Sequence, residues 1–254
     1  MTVSVEITGS VAVVTMASEN GLNVADLELM TGLRDELAQL AADERVRVVI
    51  LTGAGERAFC AGADIKYMSE ADAAAGEAWG RLGHEVGRLL ETMPKPTIAA
   101  IPGLALGGGC ELALACDLRY ASSTARLGQP EVGLGIIPGW GGTQRLARVT
   151  GLGFAKELVF TGRLVDAGEA LERGLVNGVH DPVLERAREV ALMIASKGPE
   201  ALAAAKALCN RSLQGDHPAN LDEEARLFGE LIAGPEAREG LAAFAEKRPP
   251  GFAA

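Results

Sequence analysis

The run Gly103-Leu104-Ala105-Leu106-Gly107-Gly108-Gly109-Cys110-Glu111-Leu112-Ala113-Leu114-Ala115-Cys116-Asp117 constrains this chain more than any other stretch. It follows Thr97–Ile101, whose apolar, partly β-branched residues predict a strand. The run itself reads as a glycine hinge that opens a buried helix. Glu111 falls just past the last glycine, among Leu, Ala and Cys. A carboxylate in such surroundings is costly unless it is hydrogen-bonded, neutralised or used. Burial raises its pKa, which suits a general acid or base. The glycines let backbone N–H groups approach a ligand, and a helix N-terminus favours negative charge there.

The rest of the chain supplies an α/β frame for this hinge. Val3–Ile7 and Val11–Met16 predict a hairpin turning at Gly9-Ser10, and residues 26–42 carry Leu and Met at helical spacing. Val46–Thr52 is a third strand, so the order strand, helix, strand implies a parallel crossover. Residues 58–66 and 127–135 read as loops, and 69–93 as one weakly patterned helix with four glycines. A strand over Leu118–Ala121, helices near 143–149 and 153–160, and a last strand over Leu175–Val179 complete the core. Beyond Pro182 only helices are predicted, near 182–196, 199–212, 220–232 and 235–247. The chain therefore divides into a core over 1–195 and a helical C-terminal region over 196–254.

Composition narrows the chemistry. Aromatic residues are only 4% of 254, so Leu, Val, Ile and Ala must form the core. A net charge of −10 argues against a nucleic-acid partner but leaves room for a local Lys/Arg cluster on an anionic ligand. The four cysteines form no CxxC pair, which points to free thiols in a reducing, cytoplasmic setting and to no metal. No basic-then-apolar leader and no run long enough to span a membrane is present. Phosphate loops, dinucleotide-binding glycine patterns, GxSxG elbows and HExxH are all missing, and His84, His180 and His217 stand alone.

What remains is two glycine-rich backbone sites, near Ala63 and Gly108, and two candidate carboxylates, Glu111 and Glu131. Two N–H donors on one oxygen would make an oxyanion hole, and a carboxyl pair nearby would move protons to and from carbon. Chemistry beside a thioester carbonyl, where an enolate must be stabilised, fits that set.

Three segments carry a resemblance: AFCAGADIKYM at 58–68, GLALGGGCELALACD at 103–117 and LGQPEVGLGIIPGWGGTQRL at 127–146. With the C-terminal EGLAAFAEKRPPGF, they make the chain similar to the enoyl-CoA hydratase/isomerase, or crotonase, superfamily. The resemblance implies an α/β fold: a ββα spiral core with two roughly perpendicular sheets and a helical C-terminal trimerisation region. It implies an acyl-CoA thioester substrate, no cofactor beyond the coenzyme A that the substrate carries, and a homotrimer or a hexamer of two trimers. Carried over by motif position, the N–H groups of Ala63 and Gly108 form the oxyanion hole. Glu111 and Glu131 hold the attacking water, Glu111 assisting its attack at C3 and Glu131 protonating C2. Ala61, Ala63, Asp64, Ile65 and Lys66 would lie along the coenzyme A, with Phe228, Phe244 and Lys247 reaching that region, Lys247 from a neighbouring subunit.

Both glutamates together favour hydration of a trans-2-enoyl-CoA, as in fatty acid β-oxidation. The alternatives are another reaction of the superfamily, isomerisation or specialised dehydration, and an acyl-CoA-binding subunit without turnover. Pro102 replaces the polar residue common before the glycines, residues 19–23 match their loop loosely, and Trp140 is bulky where a small residue is frequent. That indole either narrows the pocket or simply packs.

Overall fold

The computed structural model describes residues 2–212 and 215–252. In chain order, Thr2–Thr8 (β1) and Val11–Ala17 (β2) form the hairpin, followed by Leu27–Ala42 (α1), Val48–Gly53 (β3) and Ala58–Cys60 (β4). Ile65–Glu70 (α2) and Ala73–Thr92 (α3) lead to Thr97–Ile101 (β5), Leu104–Leu106 (β6) and Gly108–Ala115 (α4). Leu118–Ala121 (β7), Arg126–Gly128 (β8), a 3-10 turn over Glu131–Leu134, Gly142–Thr150 (α5) and Leu152–Thr161 (α6) follow. Leu164–Asp166 (β9), Ala167–Glu172 (α7) and Gly178–Val179 (β10) precede Val183–Ala195 (α8), Pro199–Arg211 (α9), His217–Ile232 (α10) and Pro235–Glu246 (α11).

Two sheets organise these elements. The larger runs β1-β2-β3-β5-β7-β10, with only the β1–β2 hairpin antiparallel. The smaller runs β4-β6-β8-β9, parallel until β9. Chain order explains the pairing. β3, β5 and β7 each place a strand in the large sheet; β4, β6 and β8 each follow with a strand in the small one; a helix then returns the chain. This is the ββα spiral that the resemblance implies.

The large sheet is covered on both faces, so its central strands are apolar throughout. Val11, Val13, Val48, Ile50, Ile98 and Ala100 face α8, where Val183, Ala187, Val190 and Ala191 close the layer. The alternate residues, among them Val14, Val49, Leu51, Ala99 and Ile101, join α1 and α3 in the main core through Leu33, Leu37, Val86 and Leu90. The C-terminal helices bury little: Ala243 is the one buried side chain described on α9, α10 and α11. α9 attaches through polar contacts instead, with Lys206 Nζ 2.9 Å from Asp117 and 2.8 Å from the Leu90 carbonyl. No helix among the described residues is long and apolar enough to cross a membrane.

Several sequence expectations need correction. The stretches read as loops at 58–66 and 127–135, and the glycine hinge itself, contain β4, β8 and β6. The helix expected over 69–93 breaks at Ala71-Asp72, because the Asp72 side chain accepts from Ala75 N–H and caps a new helix. Val46 belongs to the turn before β3, where its N–H donates to the Asp43 carbonyl. The last strand is confined to Gly178–Val179, and β9 and α7 before it were not expected.

Candidate active site

The three parallel strands of the small sheet end side by side, and each hands the chain to one part of a single cavity. Cys60 pairs with Ala105, and Leu106 with Gly128. The chain after β4 supplies Ala61, Gly62 and Ala63; after β6, Gly107 and Gly108; after β8, Pro130 and Glu131. All line a cavity of about 610 Å³ that Glu111 also enters.

Backbone geometry sets the two N–H positions. Ala25 takes both groups flanking Ala63: its N–H donates to the Gly62 carbonyl and its carbonyl accepts from Asp64 N–H, each at 2.8 Å. In such a parallel bridge the N–H of Ala63 itself turns away from Ala25, and Ala63 lines the cavity. Gly108 is the first residue of α4, after Gly107 at φ 52°. Its N–H is one of the four at a helix start without an intrahelical acceptor. A Cβ at Gly107 would come 2.9 Å from Glu131 Oε1, and one at Gly109 2.0 Å from the Cys60 carbonyl oxygen. The glycines therefore let α4 start tight against β4 and the Glu131 carboxylate.

Glu111 is 3% exposed. Its Oε1 accepts N–H bonds from Trp140 at 2.7 Å, in the turn before α5, and from Gly142 at 2.6 Å, the first residue of α5. Gly141, at φ 107°, gives that turn its shape. Burial is the main cause that pushes the Glu111 carboxyl up to about 7; the nearby Glu131 charge adds to the rise, and the two amide bonds oppose it. Glu131 is also buried and its carboxyl is raised, again by desolvation. With its amide turned to donate, Gln129 places Nε2 3.0 Å from Glu131 Oε1 and 3.2 Å from Oε2. Arg145 braces the loop on the far side, donating to the Trp140 carbonyl at 2.9 Å and to Glu91 at 3.0 Å. Two carboxyls with raised proton affinity, in one cavity with two inward amides, can exchange protons with a bound carbon acid.

Of the predicted site residues, Ala61, Ala63, Ile65, Gly108, Glu111 and Glu131 line the cavity. Asp64 instead caps α2, its side chain accepting from Lys66 N–H at 2.9 Å, and the exposed Lys66 lies outside the lining. Phe228 and Phe244, 65% and 86% exposed, sit on α10 and α11. Lys247 is the exposed left-handed cap of α11. Within one chain these three lie outside the cavity lining. Sequence reasoning missed Gln129 and the amides of Trp140 and Gly142. The glycines of the GWGGT turn were the available signal for the two amides; Gln129 had none.

The arrangement defines a class: a two-sheet α/β fold whose small sheet carries a buried carboxyl pair beside a helix start. Solved structures share the fold. An enoyl-CoA hydratase from Bacillus anthracis superposes with a TM-score of 0.95 at 43% identity, over 98% of each chain. The chain belongs to the enoyl-CoA hydratase/isomerase family, whose sequence profile matches residues 6–254. It is 47% identical to a short-chain-enoyl-CoA hydratase of Clostridium acetobutylicum, over 94% of this chain and 93% of that protein. It is 43% identical to a crotonyl-CoA hydratase of Syntrophomonas wolfei, over 95% and 94%.

Proposed function

We propose that this protein is a hydro-lyase that adds water reversibly and in syn fashion across the double bond of a trans-2-enoyl-CoA, giving a 3-hydroxyacyl-CoA. The observation that carries the reading is the presence of both buried glutamates, Glu111 and Glu131, in one cavity with Ala63 and Gly108. The relatives named as hydratases support it.

In this reading the thioester oxygen accepts from the N–H groups of Ala63 and Gly108. These dipoles are oriented before reaction, so they stabilise the enolate oxygen more than the ground-state carbonyl. Glu111 has one oxygen bound to two amides and the other free to take a proton. As water bonds to C3, that proton passes to Glu111 and the C2–C3 π electrons move into the enolate. Glu131 then gives its proton to C2. One water has been added, and the proton on Glu111 returns to Glu131 before the next turnover. The scheme draws on no group beyond the coenzyme A of the substrate.

Two further assignments accompany this reading. Residues 196–254 form the region through which chains associate as trimers or hexamers, supported by the exposed apolar side chains Leu221, Phe228, Ile232, Leu241 and Phe244. Phe228, Phe244, Lys247, Asp64 and Lys66 then contact coenzyme A from a neighbouring chain or at the cavity rim. Free Cys60, Cys110, Cys116 and Cys209 fit a reducing compartment such as the cytoplasm, and fatty acid β-oxidation is a pathway that uses this step.

The test is loss of enoyl absorbance on adding purified, folded protein to crotonyl-CoA and longer enoyl-CoAs, with product mass. A gain of one water supports the reading. An unchanged mass with a shifted double bond, or no turnover on any substrate, rejects it.

A further inference from the structure

One side chain in the cavity wall, the Trp140 indole, has no place in the proton chemistry, although its backbone N–H holds Glu111. Trp140 is 3% exposed, and its indole is gripped on several sides. Its five-membered ring lies on Gly83 of α3, where a Cβ would come 2.0 Å from Cδ1. Its six-membered ring lies on Gly108 of α4, where a Cβ would come 2.4 Å from Cζ3. The indole Nε1 donates to the Trp79 carbonyl at 3.2 Å. The Trp79 ring stands edge-on to it, 5.0 Å between centroids at 70°, and Tyr67 backs Trp79 at 5.2 Å. An indole with its polar atom bonded and its rings in contact on both sides is a fixed wall, since close-packed interiors yield little. Trp79 and Trp140 both line the cavity.

We propose that Trp140, backed by Trp79, is the end stop for the acyl chain and restricts this enzyme to short enoyl groups. The proposal rests on the hydratase reading of the same cavity and adds the substrate's length to it. The direction of the chain follows from two contacts. The thioester carbonyl, C1, lies at Gly108, and Gly108 touches the six-membered ring of Trp140. The hydrated carbon, C3, lies at the free oxygen of Glu111, whose other oxygen accepts from the Trp140 backbone N–H. Both ends of the reacting segment therefore abut the same residue, and C4 and later carbons run onto its indole. Each methylene beyond that space must move a ring held by two helices.

The protein has two tryptophans, and both are in this wall, so its intrinsic emission reports the wall directly. The unmodified protein is titrated with coenzyme A, butyryl-CoA and octanoyl-CoA, which are saturated and do not react. Butyryl-CoA is expected to change the emission where coenzyme A does not, and octanoyl-CoA to bind about tenfold or more weakly than butyryl-CoA. In parallel, kcat/KM is measured on enoyl-CoAs of increasing length. It is expected to fall at least ~10-fold between the four- and eight-carbon substrates, and Trp140→Leu to flatten that ratio by a similar factor. Leucine keeps the backbone N–H that holds Glu111, so the variant separates the wall from the proton chemistry. Identical emission with coenzyme A and butyryl-CoA, equal efficiency on both lengths, or an equal loss at every length in Trp140→Leu overturns the proposal. If that variant does not fold, the titration and the length profile of the native enzyme decide. Acyl-dependent emission without hydration of any substrate rejects the hydratase reading and leaves the wall standing; hydration with a flat length profile rejects the wall alone.

Discussion

Glu111 Oε1 accepts from the Trp140 N–H at 2.7 Å, and this bond joins a buried helix to a surface turn 29 residues further along the chain. It fixes one carboxylate oxygen and leaves the other for the proton step proposed above. Burial, opposed by this bond, raises the Glu111 carboxyl from the ordinary 4.5 to about 7.

That rise has a stability consequence with a definite sign. A carboxyl raised on folding contributes stability below its unfolded pKa and loses it as pH climbs through the folded value. Between pH 5 and 8 the wild type should therefore weaken relative to Glu111→Gln, whose amide oxygen still accepts from Trp140 and Gly142. The difference should approach, at most, on the order of 3 kcal/mol at pH 8. Denaturant melts of both proteins at the two pH values check it; parallel curves reject the raised pKa.

In catalysis the same pKa appears as a limb. The base must be ionised, so kcat/KM should rise with pH through an apparent value near 7. Glu111→Gln and Glu131→Gln should each lower kcat by ~10²–10⁴ at pH 7.5, and Glu111→Gln should remove the acid limb. Steady-state kinetics across pH, with folding confirmed by circular dichroism, measure both. A variant with near-native kcat loses its assigned role.

Gly107→Ala should separate the carboxyl position from the carboxyl itself. Alanine at φ 52° and ψ −122° costs roughly 1–3 kcal/mol, and its Cβ would meet Glu131 Oε1 at 2.9 Å. Glu131 must shift, and a shift of this kind is expected to cost ~10²-fold in kcat. The check is kcat alongside the thermal midpoint. Loss of stability with unchanged kcat shows that Glu131 tolerates displacement.

Asn23 carries a structural prediction. Fully buried, its amide donates to the carbonyls of Ala54 at 3.1 Å and Ala58 at 2.8 Å, and its oxygen accepts from Ser18 N–H at 3.0 Å. It thereby ties the end of β3 to the start of β4, the strand that leads to Ala63. Asn23→Ala leaves these groups unsatisfied and should cost on the order of 3 kcal/mol. An unchanged urea midpoint would contradict the role.

Much of this was legible in the residues. Val48–Leu51 and Thr97–Ile101 announced central strands because both of their faces are buried. Glu111 announced itself as the one charge in an apolar helix. The strands β4, β6 and β8 did not, since each has three residues and glycines nearby, too few for a period to show. Their pairing depends on neighbours tens of residues away. Gln129 was silent for another reason: a glutamine in a loop becomes a carboxylate donor only when the fold sets Glu131 beside it. The amides of Trp140 and Gly142 carry no side-chain signal at all. Trp140 was visible as a departure, and only the glycines opposite it, Gly83 and Gly108, explain how it fits.

The small sheet hands one working part to the cavity at the end of each of three neighbouring strands. Such a layout behaves like a tool holder with three sockets. The sheet's hydrogen bonds keep the sockets aligned, and the residues just past each strand end carry the groups that line the cavity. A change at Ala61, Ala63 or Glu131 therefore reshapes the cavity while the two sheets behind it keep their pairing. A single-residue insertion inside β6 does the reverse: it leaves every functional group in the sequence and moves the N–H of Gly108 out of line with its partners.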